Sequence, residues 1–82
     1  MKMLEMIIEW YPDEEFLKAD GLDDAIIGVE ENTMRLIYSV SKVMDILLEE
    51  GMTDVDAIDH FNYNIGTAWV GEKTPIWCYD TF

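Results

Sequence analysis

"AIIGVEENTMRLIYSVSKVMDILLEE", residues 25–50, changes its period half-way along, and that change decides the fold. Up to Val40 the stretch has two arms rich in β-branched and aromatic residues, the types that fit a pleated, half-buried surface. The polar Glu31-Asn32-Thr33 separates them. Asn tolerates the positive φ of a tight turn, so 25–40 reads as a β-hairpin. Gly28 inside the first arm points to a bulge or a close backbone approach. From Val40 the apolar residues Val40, Val43, Met44, Leu47 and Leu48 recur at helical spacing. A helix over 41–50 follows, with Ser41 as its N-cap and Gly51 just past its end.

The neighbours of this stretch take their roles from it. Downstream, Thr53 is a good N-cap, and Asp54 and Asp56 fall in a first turn where acids complement the helix dipole. The stripe Val55, Ile58, Phe61 and Ile65 continues a helix over 53–65, which Gly66 ends. "TPIWCYDTF", residues 74–82, has the composition of a strand over 75–80. Pro75 cannot donate to a ladder, so it belongs at the strand start or on an edge. Upstream, Leu4, Ile7, Ile8 and Tyr11 mark an amphipathic helix over 3–11 that Pro12 stops. Asp13-Glu14-Glu15 suits a fresh helical turn that carries Phe16 and Leu17 inward. The expected fold is α+β: one small domain, 1–82, with a three-stranded, mainly antiparallel sheet and three helices packed on one face. The expected core comprises Ile26, Leu36, Val43, Leu47, Val55, Ile58, Phe61, Ile65 and Trp69.

The chain has 82 residues, half of them apolar, which is too hydrophobic for a disordered tail. No apolar run approaches the roughly 20 residues of a membrane helix. Charge is the informative quantity: 18 acids against 5 basic residues, formally −13. Direct binding of nucleic acid or of an anionic membrane is disfavoured, since both draw on Lys and Arg. A positively charged protein partner is favoured. The acids are unevenly spread. Residues 9–31 hold nine of them with Lys18 as the only counter-charge. The expected interaction face is Asp13, Glu14, Glu15, Asp20, Asp23, Asp24, Glu30 and Glu31.

Chemistry-bearing patterns are few. His60 follows Asp56 by one helical turn, yet no Ser-His-Asp or Cys-His spacing supplies a nucleophile. His60 and Cys78 do not have zinc-ligand spacing, and a lone cysteine reads as a small hydrophobe in a reducing compartment. "DGLDD" at 20–24 fails as a calcium loop, since its third position is Leu22 and its sixth Ala25. "GTAWVG" at 66–71 lacks the Lys-Ser/Thr of a phosphate loop. No catalytic residue, metal site or cofactor is therefore expected. Trp77 and Tyr79 share one strand face, opposite Ile76 and Cys78. As amphipathic aromatics they are expected on the wetter face, forming a patch for a partner or a symmetry mate.

The combination DDAIIG (23–28), LIYS (36–39), Met52-Thr53 with Ala57-Ile58, Phe61 and Asn64, and the ending AWVGEKTPI (68–76) resembles a widespread family of small acidic bacteriophage-encoded proteins. The likeness spans about residues 21–80. It implies the cytoplasm of an infected bacterium as the setting and brings no catalytic pattern with it. The expected function is thus a non-enzymatic phage accessory protein that binds a host or phage protein through its acidic surface. In its sharpest form it mimics nucleic-acid phosphates and blocks a nucleic-acid-binding enzyme. The alternatives are a self-associating or scaffolding protein that uses Trp77 and Tyr79, and a small-molecule binder or enzyme built on His60 and Asp56.

Overall fold

The structure is a computed structural model and describes residues 3–19, 21–65 and 71–80. Helix α1 runs Met3–Trp10 and ends one residue before Tyr11, whose N–H still reaches the Ile7 carbonyl. Strands β1 (Ile26–Glu30) and β2 (Arg35–Ser39) form the hairpin, α2 (Val40–Glu49) and α3 (Asp54–His60) follow, and β3 (Ile76–Cys78) closes the sheet. The result is the expected α+β domain. Strand order is β1-β2-β3, with β1 and β2 antiparallel and β3 parallel to β2. A hairpin turn produces antiparallel neighbours, whereas the α2–α3 excursion carries the chain back to enter β3 in the same direction as β2.

Local chemistry fixes these elements. Gly28 sits at the register shift between Ile26 and Gly28. In the hairpin loop the Glu30 carboxylate accepts hydrogen bonds from Asn32 N–H, Thr33 N–H and the Thr33 hydroxyl. Those bonds hold 31–33 in negative φ, and the left-handed step falls on Met34 (φ 55°) rather than on Asn32. The N-cap of α2 is Ser39 rather than Ser41. Ser39 keeps an extended backbone, and its Oγ accepts from Lys42 N–H at 3.2 Å. Thr53 caps α3 by accepting from Asp56 N–H at 3.2 Å, and Gly51 takes φ +101° after α2.

Residues 14–19 do not form the expected helical turn. Their polar groups are satisfied from a distance instead. Lys73 Nζ donates to the Glu15 carbonyl at 2.7 Å, and Ala19 N–H donates to the Tyr38 hydroxyl at 2.8 Å.

One core joins Leu4 and Ile7 of α1, Leu36 and Tyr38 of β2, Val43 and Leu47 of α2, and Ala57 and Phe61 of the α3 segment. Ile26, Leu36, Val43, Leu47 and Phe61 are buried as expected, and Ile65 is half-buried against the cluster. Val55 and Ile58 are not core residues: they are 67% and 51% exposed. Helix α3 instead turns Ala57 and Phe61, one turn apart, towards the core. Ala57 and Phe61 are each 1% exposed. Trp69 lies outside the described residues.

Candidate functional site

The acids expected to form one interaction face have different fates. Glu14 pairs with Lys73 at 3.0 Å, and Lys73 also stands 5.9 Å from the Phe16 ring centroid. Asp23 lies 3.8 Å from Lys18. Glu30 is engaged in the hairpin loop, where the Thr33 hydroxyl and the Asn32 N–H hold its carboxyl below its ordinary pKa. Asp13, Glu15, Asp24 and Glu31 are exposed, and Asp20 lies outside the described residues. The 9–31 region is therefore acidic but partly tied up in holding its own loops.

The aromatic pair also separates. In the β2–β3 register Trp77 faces Tyr38, and Tyr38 points into the core. Trp77 is consequently on the core side, not on the wetter face. Its ring lies 5.0 Å from Tyr38 and meets Phe61 edge-on at 5.3 Å. Tyr79, past the strand end, is 73% exposed, with its ring 6.2 Å from Phe61. Ile76 and the half-buried Cys78 take the opposite face beside Ile37.

A cleft of about 340 Å³ opens beside Trp77, lined among others by Lys18, Glu50, His60, Asn64 and Ile65. After His60 the helix widens into a π turn, Phe61–Ile65. It sets Asn64 Nδ2 3.5 Å from His60 Nδ1. Among the described residues His60 makes no ion pair with Asp56, whose N–H is engaged with Thr53. The cleft offers an imidazole, an amide and an indole wall, groups suited to binding. No hydroxyl or thiol lines it among the described residues. Nor do those residues include a group of three or more His, Cys, Asp or Glu side chains placed to hold a metal ion.

Two features went unread in the sequence. Asp80 is a clamp on α2: it accepts from Ser39 Oγ at 2.6 Å and from Ser41 N–H at 3.2 Å. The Ser39 hydroxyl, followed by the Ser41 N–H, holds the Asp80 carboxyl below the usual carboxylate range. The second feature is a groove of about 160 Å³ between α2 and α3, lined by Met44, Leu48, Asp54, Ala57 and Ile58. Two apolar stripes on one helix, 55/58 beside 57/61, were the available signal for it, since only one of them can face the core.

Comparison with protein-family models, with curated proteins and with solved structures finds no match to the chain. No helix among the described residues is long and apolar enough to cross a membrane.

Proposed function

We propose that the protein is a non-enzymatic bacteriophage accessory protein that binds a positively charged host or phage protein through its acidic surface, in the cytoplasm of an infected cell. One observation carries this reading: three of the five basic side chains are engaged within the fold. Lys73 holds Glu14, Lys18 lies near Asp23, and the Arg35 Nε donates to the Thr74 carbonyl at 2.6 Å. The net charge of −13 is beyond the magnitude of roughly 2–8 that suits a small soluble domain. The motif resemblance supports the phage setting. The sharpest version is nucleic-acid mimicry, in which the surface stands in for the phosphates of a duplex, spaced about one charge per 1.7 Å of axis.

The test is the affinity of a partner isolated from infected cells, measured between about 50 and about 200 mM salt. A steep loss of affinity is expected. An affinity that does not change with salt contradicts the reading.

A second reading, a small-molecule binder, draws on the cleft beside Trp77, whose volume falls at the low end of the roughly 300–1,000 Å³ of ligand pockets. It predicts a ligand that raises the unfolding temperature of the wild type and not of His60→Ala. Equal shifts in both proteins count against it.

A further inference from the structure

We infer that the groove between α2 and α3 is a docking site for a cationic amphipathic helix of another protein. This inference rests on the proposed binding of a positively charged partner and locates where that partner sits.

The groove has the parts that helix-in-groove recognition uses. Its walls are apolar: Met44 and Leu48 from α2, Ile58 from α3, with buried Ala57 as the floor. Val55 extends the apolar ridge outward. Leu48 and Ile58, 38% and 51% exposed, thus place water-exposed apolar side chains from two adjacent helices on one groove. Along α2 the lining residues Met44 and Leu48 stand one turn apart, so the groove takes side chains from about one turn of a partner helix.

Charge decides the occupant. Asp54 lines the groove itself. Asp45 lies beside Leu48 on α2, and Asp59 lies one turn beyond Val55 on α3. None of these three makes an ion pair among the described residues. Lys42, the one Lys or Arg of the two helices, lies on the side of α2 away from Met44 and Leu48. A second copy of this chain would bring two sets of these acids together with no cation between them. A helix with an apolar stripe bordered by Lys or Arg would fill the groove and neutralise its rim.

The probe is a synthetic peptide of Leu and Lys whose leucines fall at i, i+4 and i+7. Its control is an isomer of the same composition with the stripe scrambled. Both are titrated into the full chain labelled with nitrogen-15. The striped peptide is expected to bind at least about tenfold more tightly than its isomer, a difference of about 1.4 kcal/mol. Amide shifts should centre on residues 44–58. The double variant Val55→Ser/Ile58→Ser should lose about tenfold in affinity while keeping its unfolding temperature. Asp45→Asn/Asp59→Asn should flatten the salt dependence with the same fold.

Equal binding of both peptides, with shifts centred on 9–31, overturns the groove and leaves the cationic-partner reading standing. Binding of neither peptide overturns both. A dimer in sedimentation that Val55→Ser/Ile58→Ser converts to monomer assigns the groove to a second copy and overturns the inference.

Discussion

The 9–31 segment and the α2–α3 pair are both acidic, but their acids do different work. In 9–31, Glu14 and Asp23 meet lysines and Glu30 holds a turn. On α2 and α3, Asp45, Asp54 and Asp59 make no ion pair among the described residues and border apolar side chains that remain in water. A carboxylate that closes a loop contributes to the fold. A carboxylate beside an unburied Leu or Ile marks a surface that a partner can complete. The number of acids favours the first region; their engagement favours the second.

The largest expected effect separates core from groove on one helix segment. Phe61, 1% exposed and in contact with the Trp77 ring, should cost about 3–5 kcal/mol when changed to Ala. Val55→Ser/Ile58→Ser should stay within about 0.5 kcal/mol, because both sites are exposed and Ser, Val and Ile have similar helix propensity. Denaturant unfolding reads both. A large loss in the double variant would return Val55 and Ile58 to the core and remove the groove.

Ser39→Ala comes next. It removes the α2 cap and the donor to Asp80, and about 1–2 kcal/mol is expected from the cap alone. Asp80→Asn tests the clamp through pH. The folded-state pKa of Asp80 is depressed, so its contribution is present above the unfolded value of about 3.9 and is lost as pH falls through the folded value. The wild-type advantage over Asp80→Asn should therefore be present at neutral pH and vanish in acid. An advantage that does not change with pH contradicts the clamp.

A small effect is expected in the 9–31 region. Lys73→Met removes a half-exposed pair with Glu14 and should cost less than about 1 kcal/mol, with much of that loss erased by high salt.

Much of the fold was legible because the switch from strand to helix spacing at Ser39–Val40 is abrupt, and because Thr53 and Gly51 occupy positions where only a few residue types serve well. The direction of β3 was not legible: strand composition carries no polarity, and the parallel pairing follows from how α2 and α3 return the chain. The α3 stripe misled for a related reason. Positions 55/58 and 57/61 both have helical spacing, and Ala57 contributes so little apolar area that a hydrophobic count passes over it. Ala57 and Phe61 take the core-facing side, and that leaves Val55 and Ile58 outside. The Trp77 assignment failed on register, since alternation within one strand does not say which face meets the core.

For the site, the excess of acids could be read from the sequence but their engagement could not. Lys73 reaches Glu14 across 59 positions, and Asp80 reaches Ser39 across 41. Contacts so distant leave no local pattern.

The most direct test of the account is the affinity of the striped Leu/Lys peptide for two variants compared side by side. Val55→Ser/Ile58→Ser removes the apolar ridge, and Asp13→Asn/Glu15→Gln/Glu31→Gln neutralises exposed acids of the 9–31 region. About a tenfold loss is expected for the first variant and less than about threefold for the second. The reverse order would place the partner on the 9–31 face and contradict the groove.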